Sequence, residues 1–410
     1  MFALTRKLGP GLLFAASAVG VSHLVQSTRA GADFGLTMAV LILLACLVKY
    51  PAFRFGAEYA AAARESVIVG YERQGRWLLA FFFLAIAIEG LAVIPAVSLV
   101  AAGMTLNVLG LELNQIFVTM LIVVACSLSL ALGRYRLLEQ LCKVFVVVFA
   151  VLTVVATLAV LPSLGGDRVL SAPLEPTRDN LFFSVAVAGW MPVGMGGAVF
   201  ISLWVGAKSR LMGRPVEPSE ARFDFNLSYL GTVILAFCFL LMGTGLLFGS
   251  DLELAENSVG FATQLVAMFT TSVGAWVGPV ISIAALAVML STVLTVVDGF
   301  PRVYANVTAR LLQSYTVREE RLYLVYLAIQ GGIALALLIG FLASFGAFID
   351  FVTTVGFVTA PVIAFLNHRI MGSEQIGPAH RPPPWLWWWS ACGVAILSGV
   401  SIAYLVFRFA

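Results

Sequence analysis

The sequence predicts an all-α polytopic membrane protein, and three observations lead to that prediction. Of its 410 residues, 61% are hydrophobic and only 11% are charged, whereas water-soluble domains carry charge at about a quarter of their positions. Apolar runs long enough to cross a hydrocarbon core of ~30 Å recur along the chain. Basic residues are distributed unevenly between the segments that join these runs. A water-soluble enzyme, a disordered chain and a nucleic-acid-binding protein are therefore poor interpretations, and the expected partner is the lipid bilayer.

Eleven apolar runs are separated by short polar segments. Each has close to the 20 or so residues that a membrane-spanning helix needs, and the segments between them leave no room for a soluble domain. The predicted spans are 9–31, 34–53, 77–103, 114–132, 141–163, 182–206, 227–248, 274–297, 322–343, 348–367 and 386–408.

The basic residues predict how the chain is oriented. Cytoplasmic segments of membrane proteins collect Lys and Arg. With the N-terminus inside, Arg29, Arg168, Arg178 and Arg408 are the basic residues outside, and the remaining 20 of the 24, Lys49 among them, belong to inner segments. We therefore expect a multi-pass protein with a cytoplasmic N-terminus and an external C-terminus.

Sequence motifs for a cofactor or an enzyme are missing. The five cysteines have no paired C-x-x-C spacing, which argues against a zinc site and a disulfide framework. The run from Gly194 to Gly197 lacks the G-K-[ST] that completes a phosphate-binding loop, and no hydrolase motif occurs. We expect a protein that is not an enzyme and that needs no cofactor.

The first and sixth spans are interrupted by residues that suit a helix badly. The first contains Gly20-Val21-Ser22-His23, and the sixth runs from Gly189 to Gly197 through Pro192. Each break frees backbone groups that lipid cannot satisfy, and in transporters the cargo satisfies them. The alternative is that Gly and Pro are simply common in membrane helices. Two such breaks in equivalent positions favour a transport site.

Spans one and six are equivalent positions when the first ten spans form two inverted repeats of five. We predict a transporter core at 1–370, with repeats at about 9–163 and 182–370, and an accessory eleventh helix within 371–410. Paired broken helices in such repeats mark the binding site of secondary transporters near the membrane midplane.

Several segments together resemble the Nramp family of divalent-metal transporters: Gly9-Pro10-Gly11, Arg29-Ala30-Gly31-Ala32, Met191-Pro192 and Glu220-Ala221-Arg222-Phe223-Asp224. The resemblance implies the LeuT-type fold, in which helices one and six unwind around the ion. The family holds its metal with the Asp and Asn of D-P-G-N and with an Ala carbonyl and a Met of A-x-x-M-P-H. In this chain Gly20 stands at the Asp position and His23 at the Asn position, while Ala188 and Met191 match.

The altered motif leaves two interpretations of the cargo. The predicted substrate-binding residues are Gly20, Ser22, His23, Ala188 and Met191, none of which is negatively charged, so Mg²⁺ and Ca²⁺ are poor candidates. The imidazole of His23 and the thioether of Met191 suit a softer transition metal. Alternatively, His23 bonds a freed carbonyl while Met191 fills space. A neutral site also suits a small organic or zwitterionic solute.

Glu89 lies about 18 Å along the third span and therefore near mid-membrane. Lipid disfavours a charged carboxylate, so Glu89 is either a proton carrier or one partner of a buried pair. Thr295 and Asp298 of the eighth span are further candidates for a proton or coupling-ion site. The sequence as a whole predicts a secondary active transporter of a divalent metal cation, proton-linked, with a carrier of small organic solutes as the alternative.

Overall fold

The computed structural model describes residues 9–132, 135–165, 170–250, 255, 257–312, 319–340 and 345–409, with the backbone alone described in 135–145 and at 335, 338, 340 and 345. This part of the chain is built from α-helices joined by short segments. The fifteen helices that it contains are α1 Pro10–Ala18, α2 Thr28–Phe34, α3 Thr37–Ala63, α4 Val67–Gln74, α5 Arg76–Leu109, α6 Gln115–Ala131, α7 Tyr135–Val160, α8 Arg178–Trp190, α9 Gly197–Met212, α10 Pro218–Leu246, α11 Ser258–Val273, α12 Val277–Leu312, α13 Glu319–Gly340, α14 Phe345–Met371 and α15 Pro384–Phe409.

Helices lie at all eleven predicted positions. Within the described residues, seven are long and apolar enough to cross a membrane, and the bent pair formed by α1 and the segment Ser22–Phe34 makes an eighth candidate. The sixth span is divided into α8 and α9, and α6 has only 17 residues. The chain is an integral, multi-pass membrane protein, as predicted. Its orientation and the repeat boundaries stay predictions, and Arg168 lies outside the described residues.

Several helices extend well beyond the apolar runs. α3 continues to Ala63 and α12 to Leu312, while α10 already begins at Pro218. Hydropathy marks the part of a helix that lies in hydrocarbon, and the polar residues that follow continue the same backbone hydrogen bonding. Two helices, α4 and α11, were not predicted from the sequence. α4 is short and mixes polar with apolar residues, whereas α11 is apolar but, with 16 residues, shorter than a membrane-spanning helix.

The first span, called helix one below, consists of α1, the break after it and α2. Its second half packs directly on the backbone of α10. A Cβ atom at Gly31 would lie 2.2 Å from the carbonyl oxygen of Leu240, and one at Gly243 would lie 2.3 Å from that of Thr28. Small residues allow membrane helices to approach this closely. The contact holds the segment that follows the first break in a fixed place.

The start of helix one is attached to α10 as well. The Asp224 carboxylate accepts hydrogen bonds from the backbone N–H groups of Gly9 at 3.2 Å and Gly11 at 2.9 Å. A helix begins with N–H groups that have no intrahelical partner, and a carboxylate is a strong acceptor for them. Two of the segments that carry the Nramp resemblance therefore contact each other.

A short extended contact joins the end of helix one to the segment that precedes helix six. Gly35 forms an isolated antiparallel bridge with Ser171. Beside it, the Leu36 N–H donates to the carbonyl of Leu170 at 2.8 Å, and the hydroxyl of Thr37 donates to that of Ala172 at 2.6 Å. The chain that leads into α8 is thus fixed to the end of α2.

Alanine substitution of two glycines of α10 tests the contact between α2 and α10. Gly243→Ala places a methyl group against the Thr28 carbonyl, and overpacking of this kind costs about 1–3 kcal/mol. Gly231→Ala meets no atom within 4 Å and gains up to ~1 kcal/mol of helix propensity. We expect the melting temperature in detergent to fall for Gly243→Ala and to stay or rise for Gly231→Ala. Equal melting temperatures would contradict the close contact.

Candidate functional site

Helix one breaks where the sequence predicts it. α1 ends at Ala18, and a π-helical turn, Ser22–Ser27, leads into α2 at an angle of 47° to α1. The residues between them are buried, and Gly20 lies at the turn. π-Helical turns are uncommon and occur mostly at functional sites.

Helix six breaks beside it. α8 ends at Trp190, the segment from Met191 to Gly196 is not helical, and α9 begins at Gly197. Pro192 ends α8 because it has no N–H to donate to the carbonyl of Ala188. The two breaks touch, since the Ser22 hydroxyl lies 3.3 Å from the carbonyl oxygen of Pro192.

A cavity of about 40 Å³ lies between the two breaks and the facing sides of α5 and α12. It has room for roughly three water molecules. The wall is mostly apolar and contains three aromatic rings, three hydroxyls and one carboxyl group. Its polar and aromatic lining residues are Ser17, Ser22, Glu89, Trp190, Phe200, Thr292 and Phe300, and its valines are Val21, Val93, Val97, Val193 and Val296.

Two polar atoms of the wall have no hydrogen-bond partner among the described residues. Glu89 is 2% exposed; its Oε1 accepts a hydrogen bond from the Gly196 N–H at 3.2 Å, and its Oε2 is unpaired. The indole Nε1–H of Trp190 is the second unpaired group. Both flank Gly194, where a Cβ would lie 2.6 Å from Glu89 Oε1 and 3.5 Å from Trp190 Nε1. Buried polar atoms without partners are costly, so this pair marks a place for a ligand.

His23 is held by the protein through both ring nitrogens. It is fully buried, and its Nε2–H donates to the carbonyl oxygen of Thr232 at 2.8 Å. Its Nδ1 lies 2.8 Å from the Ser22 oxygen, which is also 2.7 Å from the carbonyl oxygen of Ala18. A metal ion on either nitrogen would displace one of these contacts. His23 therefore bonds protein groups, as the alternative interpretation expected, although the Thr232 carbonyl belongs to the unbroken helix α10 and is not freed by a break.

Other predicted substrate-binding residues also meet protein atoms. The Met191 sulfur accepts a hydrogen bond from the Ser27 hydroxyl at 3.6 Å. A Cβ at Gly20 would lie 3.0 Å from the methyl carbon of Thr292, so a larger residue here requires the Thr292 side chain to shift. Of the five predicted residues, Ser22 borders the cavity, whereas Gly20, His23, Ala188 and Met191 do not.

Within the described residues, no three His, Cys, Asp or Glu side chains cluster in a way that could hold a metal ion. The metal-donor role of His23 and Met191 stays a prediction.

Lys49 is a functional candidate that the sequence analysis missed. It was counted among the inner basic residues, but it is fully buried within α3. Its ammonium group donates to the carbonyl oxygens of Ala188 and Gly189, each at 2.6 Å. The signal was present, because Lys49 lies twelve residues after the start of α3, about 18 Å along the helix axis. An ionisable residue at such a depth is a functional candidate by default.

The structure does not bring Asp298 and Thr295 to the cavity. Asp298 forms an ion pair with Arg302 at 2.5 Å and accepts a hydrogen bond from the hydroxyl of Tyr323 at 2.9 Å. The Thr295 hydroxyl donates to the carbonyl of Thr292, within its own helix. Their role at a coupling-ion site stays a prediction, with Glu89 the one member of that predicted set that lines the cavity.

A charged contact lies in the second half of helix one, beyond the first break. Arg29 binds Asp350 through two hydrogen bonds, at 2.7 and 3.2 Å, and Gln26 donates to the same carboxylate at 3.0 Å. The Arg29 guanidinium also lies 4.9 Å from the ring centre of Phe183 in α8. Because Asp224 fixes the start of helix one, both ends of this broken helix are held by charged contacts.

Comparison with known proteins gives one relative by sequence, and no family model matches the chain. The uncharacterized protein PM0681 of Pasteurella multocida is 31% identical over 406 residues, which cover 97% of this chain and 91% of that protein. The chain belongs to the same family as PM0681. This relationship extends through all the helices but carries no function with it.

Solved structures show the fold. A mutant of the Eremococcus coleocola manganese transporter is similar with a TM-score of 0.71 and 14% identity, over 98% of this chain and 87% of that one. MhsT in complex with L-phenylalanine is similar with a TM-score of 0.63 and 14% identity, over 97% of both chains. The predicted LeuT-type fold is therefore confirmed, whereas membership of the Nramp family stays a prediction.

The hydrogen bonds of His23 predict a structural effect of its removal. His23→Ala removes the hydrogen bond to the Thr232 carbonyl, worth about 0.5–1.5 kcal/mol, and leaves a cavity at a fully buried position, so we expect a lower melting temperature in detergent. Met191→Leu conserves volume and serves as the control, with a cost below ~1.5 kcal/mol. A His23→Ala protein that keeps its melting temperature and loses Mn²⁺ binding present in the wild type would restore the metal-site prediction.

Proposed function

We propose that this protein is a secondary active transporter that carries a small organic solute with a protonated amine by alternating access. The observation that carries the proposal is the cavity between the two breaks. It presents an unpaired carboxylate oxygen of Glu89 and an unpaired N–H of Trp190 within a wall that is otherwise largely apolar. Such a wall suits an organic molecule with one donor and one acceptor.

The chemistry of the wall favours an ammonium group over a metal ion. A transition metal is held by several imidazole, thiolate or carboxylate ligands, whereas this wall offers one carboxylate and His23 is engaged elsewhere. An ammonium group pairs with a carboxylate and is also attracted to aromatic faces, here those of Phe200 and Phe300. The carboxylate of an amino acid would in turn accept the Trp190 N–H.

The structural relatives support a transporter and leave its cargo open. One carries manganese by its name, and MhsT was solved with L-phenylalanine. The LeuT-type scaffold thus serves both kinds of cargo. The choice between them for this chain rests on the lining of its own cavity.

Alternating access requires that the cavity open to one side at a time. The pair Arg29–Asp350 holds one side, and the attachment of Gly9 and Gly11 to Asp224 holds the start of helix one at the other end. In this conformation the cavity is too small for a solute of amino-acid size. Release of one of the two contacts is the step that would admit it, as in other transporters with moving helices.

Glu89 also provides a route to proton coupling. Its free oxygen can hold a proton or pair with an ammonium group, but the two compete for the same carboxylate. Solute entry would then displace a proton, and the proton would return when the solute leaves. The earlier prediction that Glu89 is the proton-linked group is kept in this proposal.

Replacement of Glu89 tests the proposed counter-charge. Glu89→Gln preserves size but removes the charge, and a hydrogen bond to a charged group is worth about 1.5–3 kcal/mol, so we expect affinity for the amine to fall by roughly 10–150-fold. Binding is measured by thermal shift and calorimetry against alkylamines, amino acids, Mn²⁺ and Cd²⁺. Glu112→Gln, at an exposed position, is the control and should leave binding unchanged.

Removal of the indole N–H tests the second contact. Trp190→Phe keeps an aromatic ring in the cavity and should weaken amino acids that carry a carboxylate more than simple alkylamines. Trp385→Phe, at a residue that is 58% exposed, is the matched control.

Two results would count against an organic solute. One is a saturable response to Mn²⁺ or Cd²⁺ with none to amines or amino acids, which would favour the metal prediction. The other is unchanged amine binding in Glu89→Gln. If that variant binds normally but its uptake in proteoliposomes ignores a pH gradient, Glu89 carries the proton and the solute binds elsewhere.

A further inference from the structure

The contact between Lys49 and helix six is a feature that the proposed function does not use. Ala188 and Gly189 belong to the last turn of α8, where carbonyl groups have no intrahelical donor. For Ala188 the reason is covalent, because the residue four positions later is Pro192, which has no N–H. Both carbonyls accept a hydrogen bond from Lys49 Nζ at 2.6 Å.

The end of α8 is a place where a cation is favoured. The C-terminus of a helix carries a partial negative charge, and it attracts cations most strongly in a buried setting. In transporters with broken helices, such carbonyl ends coordinate the ion that moves with the solute. Here the cation belongs to the protein, and its side chain is fully buried. The carboxyl group of Glu89 is close enough to interact with it electrostatically.

We propose that the ammonium group of Lys49 is a built-in cation that takes the place of a bound ion at the break in helix six. The protein then assembles its site without any metal or alkali cation. A tethered cation cannot leave with the solute, so a sodium or metal gradient has no ion through which to act at this position. The inference concerns the break itself and does not depend on which solute is carried.

The surroundings of Lys49 support a permanent contact. Its helix neighbour Cys46 is buried, and the backbone carbonyl of Cys46 accepts the hydroxyl of Tyr229 in α10 at 2.6 Å. α3 is therefore fixed to α10 one turn from Lys49. The Lys49 ammonium group therefore reaches α8 from α3, a helix whose position is fixed by α10.

The proposal is tested without a solute, by thermal unfolding of the purified protein in detergent. Wild-type protein is treated with a chelator and studied with tetramethylammonium, which has no N–H group, as the sole added cation, and then with Na⁺, K⁺ or Mn²⁺ at equal ionic strength. We expect the same melting temperature in every case. A saturable rise with one of these ions would overturn the proposal.

Two variants distinguish the role of the Lys49 ammonium group from that of its aliphatic side chain. Lys49→Met keeps the length but leaves both carbonyls unpaired, so we expect a lower melting temperature that no cation restores. Lys49→Ala opens space, and n-propylammonium, the missing part of the side chain, should restore its melting temperature in a saturable way. Tetramethylammonium has a charge but no N–H donor and should not. Arg321→Met, at an exposed position, controls for loss of a basic residue.

The outcomes are decisive in either direction. A Lys49→Met protein as stable as the wild type would overturn the proposal, as would a folded Lys49→Ala protein that n-propylammonium does not restore. If neither variant folds, the cation series on the wild type decides alone. Because no amine or amino acid solute enters the wild-type measurement, failure of the organic-solute proposal would leave this result intact.

Discussion

A broken helix inside a membrane protein must have its freed backbone groups satisfied by the protein or by a ligand, since lipid offers no hydrogen bonds. In this protein two long-range side-chain contacts meet that demand at the break in helix six. Lys49 donates to the carbonyls at the end of α8, and Glu89 accepts the Gly196 N–H. One oxygen of Glu89 and the indole N–H of Trp190 keep no partner among the described residues, and both lie at the cavity. Glu89 therefore serves both the break in helix six and the proposed binding site.

The architecture could be predicted from the sequence because its causes are local. Apolar runs of membrane-crossing length give the spans, and Gly20 and Pro192 mark the breaks through their own backbone preferences. The helices α4 and α11 escaped prediction because both are shorter than the roughly 20 residues of a membrane-spanning helix, although α11 is apolar. The extensions of α3 and α12 escaped for a related reason, since a helix does not end where its apolar residues do.

The site was harder to predict because its contacts join distant parts of the chain. Lys49 and Ala188 are 139 residues apart, and no local sequence pattern at either residue indicates that the two are in contact. Counting Lys49 as an inner loop residue followed from the charge rule, which takes no account of depth within a helix. The resemblance to metal transporters aligned Gly20 and His23 with metal ligands, but Thr292 fills the space beside Gly20 and Thr232 engages His23. The alignment with the metal transporters gives the position of each residue along the chain, but it does not give the contacts that surround the residue in this protein.

The β-bridge between Gly35 and Ser171 couples two half-helices, α2 of helix one and α8 of helix six. On one side of the bridge is α2, which begins one residue before Arg29, and on the other is the segment that leads into α8, whose far end holds Lys49. Because the bridge joins the segments next to α2 and α8, these two helices cannot tilt independently. We therefore expect a displacement of α2, such as separation of Arg29 from Asp350 would allow, to pass through these backbone bonds to the segment that leads into α8.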